Sequence, residues 1–445
     1  MDELEKLEQA IKKQAQFVGQ LTYQQLKSKT VEQAKLELLD SIGCMAVGNR
    51  QYERKDFLTG KYSLVGSEKR EKEVAVFFNG AAMVKNELDE GNQFAFGHPA
   101  CHIVPAYLAE IEEKEVDGKE AITAFVAAYE VSCRWGCSTK VKKSMHVHGT
   151  MQTMGAAAVS CKLNHCSIDE IKEAIVLANS LPQATSWSSA FEGDQLRNAY
   201  IGIANNVGMN AFRMVRAGIK SSIKTLSDVW TEVLGGEISA EGLTMRLGQQ
   251  YYLDKNYFKI HSACRYTHSF ADIVQKFMKQ GLQYQEIEKI EIETYAAAAK
   301  LKDTMVNNSF AMRFSIPVSI AVCMVYGDLS IDNVTDEHVT DDRVLAIASK
   351  IIVKENPDYT AALPGLRKNK MTIYTTTGKR YEKETEVTKG DYLNPFTKEE
   401  IIQKFQKITN GIWSEKRQKE IVNFVLALDE KENAAELIKL VGMDE

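Results

Sequence analysis

The chain carries eight histidines, and six of them fall in three short pairs: His98 and His102, His146 and His148, His261 and His268. Each pair sits in an unusual segment: Gly97-His98-Pro99-Ala100-Cys101-His102, Met145-His146-Val147-His148-Gly149-Thr150, and His261-Ser262-Ala263-Cys264-Arg265-Tyr266-Thr267-His268. Histidine is the side chain best placed to move protons near neutral pH. Grouped beside Gly, Pro and Arg, these segments read as pieces of one active site.

The neighbours suggest roles. His146 stands ahead of a Gly/Ala-rich stretch, Met154 to Leu163, that has the pattern of a helix. A histidine at a helix N-terminus is held neutral by the positive end of the dipole, which makes it a competent base beside an anion site. Taken alone, it reads as a capping or packing residue before it reads as a base. The acidic run Glu87-Leu88-Asp89-Glu90-Gly91-Asn92 precedes His98 by one short loop. A carboxylate there would raise the basicity of the imidazole and orient its ring, although a solvated acidic turn has the same look. His98 and His102 share the i, i+4 spacing of a metal pair, but Pro99 and the lack of a third ligand argue for no metal. Cys161-Lys-Leu-Asn-His165-Cys166 has no recognised ligand spacing either. Arg265 brings a carboxylate-binding fork next to His268, and Arg197 precedes a small-residue helix. The short basic runs Lys142-Lys143 and Arg367 to Lys370 read as solvated surface.

The elements that must position these residues follow from periodicity. Residues 5 to 47 read as two helices, with apolar stripes on Ala10, Ile11, Phe17 and Leu21 and on Ala34, Leu36, Leu38, Leu39, Ile42 and Ala46. Beyond a polar stretch at 48 to 72, helical patterning extends to about 250, over Ala121 to Cys133, Met154 to Leu163, Ile168 to Ser180 and Ala204 to Ala217. Small residues are dense there, so helix backbones can approach closely. The texture changes near 258. Ile287 to Tyr295 alternates with the strand period, and Lys370 to Thr376 with Tyr381 to Val387 flank a turn, as a hairpin does. Helices are expected around Pro317 to Tyr326 and Asp342 to Ile352, and Thr397 with Glu400 forms a capping box opening a last helical stretch.

Composition bounds the rest. At 445 residues, 26% charged with a net charge of -5, the chain has no electrostatic footprint for nucleic acid. No run approaches the eighteen or so apolar residues that span a bilayer, Met1 to Gln14 lacks an apolar core of a signal peptide, and eight scattered cysteines fit a reducing cytoplasm. Neither a phosphate-cradling Gly loop nor a nucleophile elbow is present. The expected reaction uses no cofactor.

In this order, the segments resemble the MmgE/PrpD (2-methylcitrate dehydratase) family, which also includes cis-aconitate decarboxylase and iminodisuccinate epimerase. The block from His146 to Ala158 is similar to the family's H-x-T-G-x-x-G-x-x-G-A-A-A, His98-Pro99 to its H-P pair, and Arg265 with His268 to its R-x-x-H element. Arg197 takes the place of a basic residue that is often lysine. The resemblance implies a mainly α protein: a large all-helical domain from both chain ends, residues 1–258 and 395–445, and a smaller α+β lid, residues 259–394. It also implies a homodimer and a cleft for a small-molecule di- or tricarboxylate, from which a proton α to a carboxylate is removed. The chain departs from the pattern at the acidic run, at His148 where Thr is common, at Arg197, and at Val318, where the decarboxylase branch has a tyrosine. These departures point away from cis-aconitate decarboxylase itself.

The resulting expectation is a cofactor-independent lyase of the 2-methylcitrate dehydratase type. His146 or His268 serves as base, His98 as acid oriented by Asp89, and Arg265, Arg197, Glu87, His148 and Ser315 contact substrate. The alternatives are an epimerase of a succinyl-type dicarboxylate and a non-catalytic carboxylate-binding or scaffold protein. In the enzyme, His98, His146 and His268 should line one cleft.

Overall fold

The computed structural model describes residues 2–53 and 59–443. The polar stretch at 48 to 72 therefore lies partly outside the described residues, as does Met1. The protein is mainly α, with one four-stranded sheet. Among the described residues no helix is long and apolar enough to cross a membrane.

The first helix, Glu3–Gln20, opens with a capping box between Asp2 and Glu5 and buries Leu7, Ala10, Ile11, Ala15 and Val18 along one stripe. Helices Ser28–Asn49 and Gly118–Ser138 are buried on nearly every side, so on the first of them Glu37, Asp40 and Ser41 are buried along with the apolar stripe. Small residues set the close helix contacts. Where Lys72–Met83 crosses Leu196–Arg216, a Cβ on Gly202 would lie 2.4 Å from the Phe77 carbonyl oxygen, and one on Gly80 would lie 3.0 Å from the Gly202 Cα. The chain ends share this core: Phe405, Trp413, Ile421, Phe424 and Leu437 pack into the same cluster as Ile11 and Leu38.

A second apolar cluster gathers almost wholly from 263 to 373. Helices His268–Lys279 and Ile316–Tyr326 cover a sheet whose strand order is Ile351–Glu355, Ile287–Thr294, Asn369–Thr375, Arg380–Thr385. The first pair is parallel and the others antiparallel. A register shift between Ile287 and Lys289 lets Ile287 and Ile290 both face inward although they are three apart. The hairpin turn falls at Thr376 to Lys379, as its sequence requires, and Thr397 and Glu400 form the expected capping box on Lys398–Ile408.

Two expectations change. The helix expected over Asp342 to Ile352 stops at Ala348, because the β-branched run Ile351-Ile352-Val353 joins the sheet beside Ile290 to Ile292. Helical patterning does not continue to 250. Beyond Arg216 come only short turns such as Ile223–Asp228 and Ala240–Thr244, interrupted by Gly218, Gly235 and Gly248, all at positive φ.

The two clusters meet where Gly91 and Tyr257 exchange backbone hydrogen bonds of 3.1 and 2.8 Å. A Cβ on Gly91 would lie 2.2 Å from the Tyr257 hydroxyl, so this join requires glycine. Replacing Gly202 with Ala forces apart helices Lys72–Met83 and Leu196–Arg216. The expected cost is about 1–3 kcal/mol, the usual range for overpacking, read as a lower denaturant midpoint at unchanged m value.

Candidate active site

Between the two clusters lies a cavity of about 270 Å³, close to the lower end of the ~300–1,000 Å³ range of small-molecule sites. The helical body supplies the turn from Glu87 to His98, the loop from Lys143 to His148, and Trp187, Phe191 and Arg197. The second cluster supplies Arg265, Tyr266, Lys300, Phe314 and Arg367.

A chain of buried charges sets the geometry. Lys259, fully buried, lies 3.3 Å from Glu87 Oε2 and 3.2 Å from Asp89 Oδ1. The other oxygen of Glu87 pairs with Arg197, and Asp89 Oδ2 lies 2.8 Å from His98 Nδ1. Glu87 takes a positive φ of 52°, so that it and Asp89 both reach Lys259 while Leu88 turns into the apolar core. The turn is tied from behind as well: Lys404 donates to the Leu88 carbonyl at 2.7 Å and pairs with Asp40 at 2.5 Å. Burial alone would protonate Asp89, but Lys259 and then His98 outweigh it and hold the carboxyl well below its ordinary value.

His98 Nδ1 also contacts the carbonyl oxygen of Glu90. Both of its neighbours are acceptors, so Nδ1 carries the proton and Nε2 keeps its lone pair. The ring is 14% exposed and lines the cavity, which makes His98 the group equipped to accept a proton. Glu90 fixes the following backbone by accepting from Ala100 N–H at 2.8 Å, and burial pushes its own carboxyl up to about 8.

The remaining histidines of the first two pairs divide by their hydrogen bonds. His102 donates from Nδ1 to the His98 carbonyl at 3.0 Å and accepts at Nε2 from Gly149 N–H at 3.0 Å. Both nitrogens are used, and burial pushes its pKa down to about 4, so it is a strut between the His98 and His148 loops. His146 accepts at Nδ1 from His148 N–H at 3.0 Å, which leaves Nε2–H as a donor with no partner among the described residues. His148 faces Arg197 at 3.5 Å through Nε2, so its unpartnered Nδ1 carries the proton. Burial, then Arg197, holds both far below the ordinary histidine value. The rings of His98, His148 and His146 stand in file with centroids 4.7 Å apart at each step, and Trp187 packs on His146 at 4.2 Å.

The expected helix-dipole effect on His146 is absent. The helix Met154–Leu163 begins eight residues later, and burial rather than the helix end keeps the ring neutral. The third pair is not brought to the cavity. His268 donates to the Ala263 carbonyl at 3.1 Å inside the second cluster, and His261 bonds Asp272 at 2.9 Å. Ser315 caps Ile316–Tyr326 by accepting from Val318 N–H at 3.0 Å, and neither it nor Val318 lines the cavity.

Five cations border the cavity, Lys143, Arg197, Arg265, Lys300 and Arg367, against one carboxylate, Glu87. Arg197 is buried, not the surface charge that it would be taken for alone; Lys143 is exposed, as its basic run suggests, but borders the cavity, and Arg367 is half-buried there. Arg265 spends its guanidinium on the carbonyls of Lys389 and Thr388 at 3.0 and 3.3 Å, whereas Arg367 Nη1 has no hydrogen-bond partner among the described residues. Lys259 and Arg367 were missed by sequence reasoning. Lys259 had a signal, a lone cation inside the aromatic run Tyr257-Phe258 shortly before the third histidine pair, while Arg367 lay hidden in a basic run.

Because His102 stays neutral when folded and takes a proton near pH 6.5 when unfolded, its contribution is present at neutral pH and is lost as pH falls from about 6.5 to about 4. The stability advantage of the native chain over His102→Gln should shrink across that window. The largest change expected is roughly 3 kcal/mol at about 1.4 kcal/mol per unit, measured by urea unfolding at stepped pH.

Comparison with known proteins accords with this architecture. Residues 12–232 match the MmgE/PrpD N-terminal domain and residues 261–430 the MmgE/PrpD C-terminal domain. The cis-aconitate decarboxylase-like protein oryM of Aspergillus oryzae is 22% identical, covering 96% of each chain. A cis-aconitate decarboxylase of Aspergillus terreus is 20% identical over 96% of this chain and 94% of its own length. A 2-methylcitrate dehydratase of Salmonella typhimurium is 27% identical over 33% of each chain. With both domains matched along most of its length, the chain belongs to the MmgE/PrpD family and is an enzyme of the lyase type.

Proposed function

We propose that this enzyme is a cofactor-independent lyase of the 2-methylcitrate dehydratase type, acting on a di- or tricarboxylate by proton abstraction α to a carboxylate. The observation that carries the reading is the Asp89–His98 pair, whose free Nε2 belongs to a cavity bordered by five cations and one carboxylate. Arg197 and Arg367 receive substrate carboxylates and stabilise the charge that develops as the C–H bond breaks. His98 Nε2 takes the proton, and the ionised Asp89 stabilises the imidazolium that forms. The C–O bond then breaks as the alkene forms, and the departing hydroxide takes a proton from His148 Nδ1–H or His146 Nε2–H to leave as water. The imidazolate so formed is held near Arg197 and regains its proton from the adjacent His98 imidazolium, which returns both rings to their neutral state. This assignment exchanges the roles expected from sequence: His98 becomes the base, and the second pair supplies the acid. Arg197 serves only as a clamp, since a guanidinium does not donate a proton at neutral pH.

The division into a body of residues 1–258 and 395–445 and a lid of 259–394 belongs to the same proposal. It is supported by the apolar clusters, which separate along nearly these lines. Homodimeric assembly and a cytoplasmic setting are carried by the family resemblance, and the second also by eight free thiols.

Incubation in D2O with 2-methylcitrate, citrate and succinyl compounds including iminodisuccinate, followed by alkene absorbance and deuterium uptake, tests the reaction. Alkene formation is expected. Exchange with stereochemical scrambling and no alkene would replace the lyase with an epimerase, and silence with every compound would leave a carboxylate-binding protein. On a substrate so identified, His98→Gln and Asp89→Asn should each lower kcat by about 10²–10⁴-fold, the usual worth of a positioned base. Arg367→Met should instead raise KM by roughly 10–100-fold, the worth of a charged hydrogen bond.

A further inference from the structure

Outside the residues that line the catalytic cavity, helix Met154–Leu163 ends in a turn whose hydrogen bonds bring two cysteines together. Cys166 N–H donates to the Cys161 carbonyl at 3.0 Å, and His165 N–H donates to the Lys162 carbonyl at 3.1 Å. His165 between them adopts a positive φ of 49°. This is the Schellman arrangement, in which the residue two beyond the cap folds back onto the residue three before the helix end. An apolar contact normally fills that place. Here both positions are cysteine, so the turn itself sets the two side chains against each other.

The two thiols have unequal surroundings. Cys161 is fully buried, whereas Cys166 borders a cavity of about 420 Å³ that also meets His165, Glu120 and Lys162. The Cys166 thiol is held below its ordinary value, first by the hydrogen bond from Cys161; burial and Glu170 oppose this, and Arg216 and Lys114 support it. That is the setting of a thiolate that reacts first, with a resolving thiol behind it.

We propose that Cys161 and Cys166 form a dithiol that peroxide oxidises to an intramolecular disulfide. Cys166 thiolate attacks hydrogen peroxide: an S–O bond forms, the O–O bond breaks, and hydroxide leaves as water after gaining a proton. Cys161 then loses its proton and attacks the sulfenic sulfur, forming the S–S bond and releasing a second water. Two thiols are oxidised by two electrons and one peroxide is reduced to two waters.

The molecule contains its own control. Cys133 and Cys137 are also neighbours, but both lie inside helix Gly118–Ser138 at i, i+4. That spacing keeps Cβ atoms about 5–6 Å apart, wider than the roughly 3.5–4.5 Å of a disulfide.

The full-length protein is treated with a modest molar excess of hydrogen peroxide, alkylated and digested with trypsin. Cleavage at Lys162 separates the thiols into Ser144–Lys162 and Leu163–Lys172, each with one cysteine. The expected product is these two peptides joined, two hydrogens lighter than their sum, at roughly tenfold the yield of any Cys133–Cys137 link. Cys161→Ser should leave Cys166 as a sulfenic acid trapped by a dimedone-type probe. Cys166 recovered unmodified, or oxidised without linkage to Cys161 in the native chain, would overturn the proposal. The peptide map of the native chain decides this even where a serine variant fails to fold.

Discussion

The site depends on one buried ammonium. Lys259 has no exposed surface and is held by Glu87 on one side and Asp89 on the other. Isolated in an interior of low dielectric, any of the three charges would cost several kcal/mol, and removing one partner of a buried pair typically costs 3–5 kcal/mol. Together they offset one another's burial, and each carboxylate then organises a second group: Glu87 the guanidinium of Arg197, Asp89 the imidazole of His98. Because Lys259 lies on the segment entering the second cluster while the carboxylates lie on the helical body, the base is oriented only when the two halves are assembled.

That arrangement explains why hydrogen-bond direction, rather than histidine count, decides the chemistry. Near Asp89 and the Glu90 carbonyl, His98 must donate from Nδ1 and is left a base at Nε2. His146 and His148 accept at one nitrogen and are left donors at the other. Burial beside Arg197 prevents both from charging, which keeps a neutral N–H available where a leaving group would need it. Titratable groups pushed apart by their surroundings are what acid and base roles require.

Much of the fold was legible in local signals. The capping box at Thr397, the alternation over Ile287 to Thr294 and the hairpin turn at Gly378 are set by neighbouring residues, and they lie where the pattern placed them. The helix that ended early at Ala348 failed because Ile351 to Val353 found a parallel partner more than fifty residues away, an interaction that no local window contains. The acidic run and the H-P pair were correctly associated because only a short loop separates them. His268 was set beside Arg265 on sequence proximity, yet its ring turns into the second cluster while Arg265 borders the cavity.

The residue types available for the reaction are legible in the chain's order alone: histidines for protons, arginines for carboxylates, and an acidic turn one loop from His98. So are the helices and strands that carry them, since capping, alternation and turn chemistry act within a few residues. Which nitrogen of each histidine is free, that Lys259 and Arg367 belong to the site, and that His268 and Ser315 do not line it became visible once the segments were packed together. Those outcomes rest on burial and on hydrogen bonds between segments tens to hundreds of residues apart, where the cost of an unpaired charge is set by neighbours the local sequence does not name.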